Sequence, residues 1–336
     1  MRNKTHRSFL LATTGVLALW LGGCSHSTSG PTLERPKAVD LYVSGVQAHK
    51  AGNPAVAKTR LELAVSTNPE LRMAHSLLGD IYRAEGNYLA ARKQYEAMTR
   101  LDPYTAANHY RLGLTYQFLQ MFKESAACYL RALSLAPTDW KSHMYLGLAY
   151  LALDQYDDAM KYADTATRLA PREAEAWGNL GVIYDSRGQF VKAERAYRTA
   201  LELGANNRTS MLNLVSNLLN QAKPSEAAAV MQQVITTDRS ALTLTRYGIV
   251  LLANRRFDEA IAQFDEALKL DARYVPAWNE KGIGYIRVFE ERDLELNDAS
   301  RVKALEAWNK SLALKPDQPR VQQWVRKWTE QRLFEK

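Results

Sequence analysis

The sequence predicts an all-α fold, a solenoid of helical hairpins stacked end to end, and three observations predict it. First, the 34-residue segment 174–207 has seven relatives lying in succession between residues 38 and 316. Second, Trp177, Leu180, Gly181 and Tyr184 fall at i, i+3, i+4 and i+7, which is one stripe of an α-helix. Third, Ala193, Tyr197 and Ala200 repeat that spacing on a second helix, and Gly188 marks the turn between the two. A single hairpin of this kind cannot bury its apolar face, so the copies must stack on one another. A chain of 336 residues would ordinarily suggest two or three domains, but the internal period makes one elongated array the better reading.

Ahead of the array, residues 1–8 carry Arg2, Lys4 and Arg7 and no acid, and residues 9–21 are apolar except for Thr13 and Thr14. This is the basic start and apolar run of an export signal. As a helix the apolar run would span about 20 Å, short of the ~30 Å hydrocarbon core of a bilayer. Leu21, Gly22, Gly23 and Cys24 follow directly. That tetrapeptide resembles the bacterial lipobox. The resemblance implies that residues 1–23 are removed as a lipoprotein signal peptide and that Cys24 carries acyl chains. Ser25 rather than an aspartate follows, as in lipoproteins sorted to the outer membrane, so the expected address is the periplasmic face of that membrane. Several acyl chains on one residue also meet the physical need for more than one lipid in a stable anchor. An ordinary signal peptide with an incidental cysteine is the alternative.

Residues 24–37 contain the lipidated cysteine and then a stretch rich in Ser, Thr, Gly and Pro without a helical stripe, which reads as a flexible tether. The other cysteine, Cys128, lies on a second helix and reads as a small buried thiol. The formal charge is +8, and loss of the three cations of the leader leaves +5. So mild and mixed a balance argues against nucleic acid as a partner.

Residues 38–318 form the array. The first helices carry Gly45, Gly79, Gly113, Gly147, Gly181, Gly248 and Gly282 at one equivalent place, with Val215 the exception. Glycine there is expected to admit a neighbouring helix closely, against a helix-propensity cost of about 1 kcal/mol each. On the second helices, Ala57, Ala91, Ala159, Ala193, Ala227, Ala260 and Ala304 provide the small contact, and Pro69, Pro103, Pro137, Pro171 and Pro316 punctuate the joins. This pattern resembles the tetratricopeptide repeat in eight copies, and the resemblance implies a right-handed superhelix of about eight hairpins. The first five copies keep strict spacing, the sixth loses a residue, and the eighth gains about ten, with an insertion near 289–302. Residues 319–336 carry Val321, Trp324, Val325 and Trp328 on one helical stripe, expected to be a capping helix over the last repeat. A helix for a membrane surface or a partner is the alternative.

His75, His109 and His143 recur at 34-residue intervals. Equivalent places on stacked hairpins lie about 10 Å apart, whereas zinc ligands converge to about 2.0–2.1 Å from one ion, so these histidines read as packing residues. The acidic run Asp293, Glu295, Asn297 and Asp298 lacks the glycine and terminal glutamate of a calcium loop. With no nucleophile motif or phosphate loop in the sequence either, no cofactor, metal or catalysis is expected.

Function is then expected on the concave surface, which tetratricopeptide repeats build from first-helix residues. Aligned on that family geometry, one row reads Leu77, Arg111, Tyr145, Asn179, Asn213, Arg246 and a neighbouring row includes Tyr42, Tyr110 and Met144, with Phe118 and Leu148 beside them. A row of amides suits an extended backbone, because asparagine both donates and accepts. The expected partners are other envelope proteins, with the membrane reached through the lipid. In plan the chain resembles pilotin-type lipoproteins that help assemble pili or secretion machines. Adaptors of peptidoglycan-processing enzymes and scaffolds of polysaccharide export remain open alternatives.

Overall fold

In a computed structural model, residues 34–204, 207–292 and 299–330 are described, and among them there are seventeen α-helices and no strand. They divide into two compact units, Met1–Ala74 and His75–Lys336. The first unit contains one complete hairpin, α1 (Glu34–Lys50) and α2 (Pro54–Thr67). Gly45 faces Leu61, so close that an added Cβ would lie 2.9 Å from the leucine side chain. Helix α1 starts inside the stretch assigned to the tether. The proline at 36 does not prevent this, because backbone N–H groups in a helix's first turn have no intrahelical acceptor to lose. The leader, Cys24 and the rest of the tether lie outside the described residues.

The second unit contains most of α3 (Arg72–Ala84), then α4 (Tyr88–Leu101), α5 (Ala106–Phe118), α6 (Phe122–Leu135), α7 (Trp140–Ala152), α8 (Tyr156–Leu169), α9 (Ala174–Ser186) and α10 (Phe190–Leu203). It continues through α11 (Arg208–Asn220), α12 (Pro224–Thr237), α13 (Ala241–Ala253), α14 (Phe257–Leu270), α15 (Val275–Glu291), α16 (Ala299–Leu314) and α17 (Pro319–Glu330). Within this unit Gly79 of α3 faces Tyr95 of α4, each helix from α4 to α16 packs on the one that follows it, and α17 packs on α16. The second unit is therefore the α-solenoid of stacked hairpins expected from the repeats.

The reason for the first-helix glycines is explicit. A Cβ at Gly79, Gly113, Gly181, Gly248 or Gly282 would lie between 2.2 and 2.9 Å from the ring of Tyr95, Tyr129, Tyr197, Phe264 or Trp308 respectively. Each ring is fully or nearly fully buried on its own second helix. The tyrosines also satisfy their polar tips: Tyr95 donates to Asp80 at 2.7 Å, Tyr129 to Gln117 at 3.0 Å and Tyr197 to Asp185 at 2.9 Å. Gly147 has no such ring to meet, because Ala163 occupies that place; the α8 backbone itself comes within 3.1 Å of an added Cβ. In the sixth hairpin Val215 replaces the glycine and the flexible Met231 replaces the ring, and both are buried.

A second repeated device was not visible in the spacing. In α5, α7, α9, α15 and α17 the side chain at the fourth place bonds the carbonyl six residues earlier, fixing the preceding loop. His109 and His143 bond the carbonyls of Pro103 and Pro137 at 3.0 and 2.9 Å, and Trp177 and Trp278 donate to those of Pro171 and Ala272 at 3.0 and 2.9 Å. Gln322 does the same to Pro316 at 2.9 Å. By this register α17 corresponds to the first helix of a hairpin. Its inner residues Val321 and Trp328 are buried while Gln323, Arg326 and Thr329 are exposed. The extra residues of the eighth copy lengthen α15 to 17 residues, against 13 in α13; residues 293–298, with the acidic run, lie outside the described set.

Candidate peptide-binding groove

The first-helix rows present two different surfaces within the second unit. Toward its amino-terminal side, Tyr110 of α5 and Tyr145 of α7 meet with ring centroids 6.0 Å apart, and buried Tyr129 supports both, at 6.0 and 6.1 Å. These separations suit tilted or offset aromatic pairs. The Tyr145 hydroxyl donates to Glu175 at 3.1 Å. Burial, with Asp139 and Glu175 nearby, pushes the Tyr110 phenol up to about 12; burial and Glu175 push that of Tyr145 up as well. Both hydroxyls are therefore neutral across the physiological range. Arg111 does not face outward unpaired: it donates to Ser76 at 2.7 Å and lies 3.9 Å from Asp80, both on α3.

Toward the carboxy-terminal side the surface turns polar and opens. A cleft of about 260 Å³ between α9 and α11 is lined by Glu175, Gly178, Asn179, Thr209, Ser210 and Asn213 among others. Gly178 lets the helices approach, since a Cβ there would lie 3.0 Å from the Ser210 hydroxyl. A second cleft of about 410 Å³ between α11 and α13 includes Thr209, Leu212, Asn213, Ser216, Arg246 and Ile249. Thr209 and Asn213 line both, so the two clefts join. The Asn179 amide already donates to the Glu175 carbonyl at 2.9 Å and to the Met144 sulfur at 3.0 Å. Its carbonyl oxygen is what it can offer. The side chains of Asn213 and Arg246 have no hydrogen-bond or ionic partner among the described residues, and Arg246 is exposed. A strip with an anion, Glu175, at one end and a free cation, Arg246, at the other, with amide and hydroxyl groups between, can grip an extended backbone and orient it.

The structure thus brings together Tyr110 with Tyr145, Asn179 with Asn213, and Asn213 with Arg246. It separates others. Met144 is fully buried, a correction to its place in the groove row: its side chain turns under Asn179 and accepts that residue's amide. Phe118 is 51% exposed but stacks on Tyr88 of α4 at 4.6 Å and 7°, not on the tyrosine cluster. Leu77 and Leu148 are half-buried on their first helices, and Tyr42 is half-buried within the first unit. Glu175, Thr209, Ser216 and Ile249 were missed by the sequence reading. Ser216 and Ile249 were within its reach, since each lies three residues beyond a named groove residue and so on the same helical face. Cys128 is half-buried rather than enclosed, and burial together with Glu96 and Glu124 pushes its thiol up to about 12; it is not a reactive thiolate. The three histidines bond a side-chain amide or loop carbonyls, as above for His109 and His143, with His75 bonded to Gln94 at 2.8 Å.

Stacked hairpins with a cleft-bearing row of first-helix side chains define a repeat scaffold for binding other proteins. The tetratricopeptide repeat profile matches residues 47–106, 110–171, 146–208 and 212–275. These matches cover more than half of the chain, and the protein belongs to the tetratricopeptide repeat family. Among solved structures, a tetratricopeptide repeat protein from Parabacteroides merdae ATCC 43184 is similar at a TM-score of 0.60 and 17% identity, over 74% of this chain and 99% of that one. Pseudomonas aeruginosa pilF is similar at a TM-score of 0.49 and 20% identity, over 62% of this chain and 94% of that one. At these identities the likeness is one of fold. No curated protein matches the sequence. Tetratricopeptide folds are typically non-enzymatic scaffolds that bind peptides or protein partners.

Proposed function

We propose that the protein is an outer-membrane lipoprotein, anchored through Cys24 and facing the periplasm, that holds an extended segment of an envelope protein along the first-helix groove while a pilus or secretion machine is assembled. The observation that carries the binding part is the joined pair of clefts from Glu175 to Arg246, in which the side chains of Asn213 and Arg246 have no partner among the described residues. A desolvated aromatic pair beside a strip of unsatisfied amide and guanidinium groups is the surface chemistry of peptide recognition. The anchoring part rests on the basic start, the apolar run and the sequence from Leu21 to Cys24. The assembly role rests on the resemblance in plan to pilotin-type lipoproteins: lipobox, short tether and a body made wholly of repeats.

The test is recovery of partners from envelope extracts with Tyr145→Ala, Asn213→Ala double-variant protein. Truncating an aromatic anchor costs about 2 kcal/mol or more at an interface hot spot, so recovery should fall at least about tenfold while helical content is unchanged. Undiminished recovery by this variant, with loss on deleting residues 290–298, would move recognition to the inserted segment and refute the groove.

A further inference from the structure

A cleft of about 420 Å³ lies between two second helices, α8 and α10, and so on a different face from the groove. Trp177, Leu180 and Tyr184 of α9 line it with Ala196, and its charged lining is three cations, Arg168, Lys192 and Arg195, and one anion, Asp164. Leu180 and Ala196 are each only 3% exposed, whereas the three cations are exposed.

The neighbouring hairpin shows what is missing. There Tyr162, 34 residues before Ala196, lays its ring on Tyr150 at 5.5 Å and 19° and against His143 at 5.8 Å. Tyr150 and His143 are the counterparts of Tyr184 and Trp177. With alanine at 196, no ring among the described residues stacks on either Trp177 or Tyr184. The eighth hairpin has the same combination, Ala307 beside Trp278 and Tyr285, but closes it with its own lysines. Lys310 and Lys281 lie over Trp278 at 4.9 and 5.3 Å, and Lys303 lies over Tyr285 at 5.7 Å. In the fifth hairpin only Lys192 reaches its tyrosine, at 5.5 Å, and no cation lies over Trp177. The space is thus shaped for a ring that the chain supplies one repeat earlier and leaves out here. Charge fixes the surroundings of that ring. Arg168 is paired with Asp164 at 3.2 Å, while Lys192 and Arg195 have no carboxylate partner among the described residues.

We propose that this cleft docks an aromatic side chain carried by an acidic segment of a partner protein, its ring against Trp177 and Tyr184 and its flanking carboxylates on Lys192 and Arg195. Ring pairs 4.5–7 Å apart and charge-assisted bonds to lysine and arginine supply the affinity. The site does not depend on the groove and takes a different ligand chemistry.

The probe is a fluorescein-labelled heptapeptide with one tyrosine between three acidic residues on each side, titrated by anisotropy into the full chain. Wild-type protein binds it, and replacing the peptide's tyrosine by alanine weakens binding by at least about tenfold. Ala196→Tyr fills the cleft as Tyr162 does one repeat earlier: binding is lost and the melting temperature stays at or above wild type. Lys192→Glu with Arg195→Glu weakens binding at least about tenfold without altering the melt; should the tyrosine variant fail to fold, this charge reversal decides. Asn213→Ala with Arg246→Ala binds the heptapeptide as wild type does. No binding to wild type, retention of binding by folded Ala196→Tyr protein, or retention by the charge reversal overturns the proposal. So does loss of binding in the Asn213, Arg246 variant, which would assign the peptide to the groove instead.

Discussion

Replacing Gly181 by alanine adds one methyl group at the closest approach within the fifth hairpin. Its Cβ would sit 2.5 Å from Cε1 and 2.7 Å from Cδ1 of Tyr197, about 1 Å inside the ordinary carbon contact of ~3.5–4.0 Å. The ring cannot swing aside, because Tyr197 is 1% exposed and its hydroxyl is held by Asp185 at 2.9 Å. Overpacking of this kind costs about 1–3 kcal/mol, and the better helix propensity of alanine returns about 1 kcal/mol. The net expectation is a loss of up to about 2 kcal/mol. The sign should reverse when the ring is removed: in a Tyr197→Leu background, Gly181→Ala should be neutral or stabilising by up to about 1 kcal/mol. Urea melts of the four proteins in this double-mutant cycle measure both quantities. An alanine effect of the same sign and size in both backgrounds would mean that Gly181 and Tyr197 are not the contact that sets the hairpin spacing.

Ala222 adopts a positive φ of 56° at the turn where Gly52, Gly86 and Gly188 stand in other hairpins. Ala222→Gly should therefore raise stability by about 0.5–1 kcal/mol in thermal melts; a loss would show that unfolded-chain entropy outweighs the relief. Burial alone would raise the Glu194 carboxyl, but bonds from Lys223, Gln221 and Arg198 pull it down to about 2. A depressed folded-state pKa stabilises above the unfolded value of about 4.3, and that contribution is lost as pH falls toward 2. Glu194→Gln should accordingly flatten the drop in stability over that window, and an unchanged slope in urea melts against pH would contradict the assignment. Cys24→Ala should block lipid attachment and processing, read by mass spectrometry of the mature protein; wild-type protein that carries no lipid and fractionates as soluble would end the anchoring proposal.

The fold was legible because it repeats. Glycine at one place and a ring sixteen residues later recur often enough to fix the helix register, and the close contacts of Gly181 with Tyr197 and of Gly248 with Phe264 are the physical cause of the pattern. The loop anchor from the fourth residue of α5, α7, α9, α15 and α17 was hidden, since histidine, tryptophan and glutamine share only an N–H donor and look unrelated in sequence. That donor puts α17 in the register of a first helix. The groove was half legible. Position along a helix identifies which side chains share a face, and it puts Asn213 and Arg246 on the face where both line one cleft. It does not reveal how far a side chain turns toward its neighbour, which is why Met144 was expected at the surface and lies buried beneath Asn179. The cleft beside Ala196 was not legible at all, because it depends on the absence of a ring that only the comparison with Tyr162 reveals.

Whether the first-helix groove holds a partner's extended segment can be read by site-specific photo-crosslinking in intact cells. A photoreactive phenylalanine analogue would be placed at Ser216, which is exposed within the larger groove cleft, or at Gln232, which is exposed on the second helix α12. A segment held in the groove gives a discrete crosslinked partner from position 216, lost when Arg246 is changed to Glu, and none from position 232. Crosslinking from 232 but not from 216, or a 216 product indifferent to Arg246→Glu, would contradict groove binding.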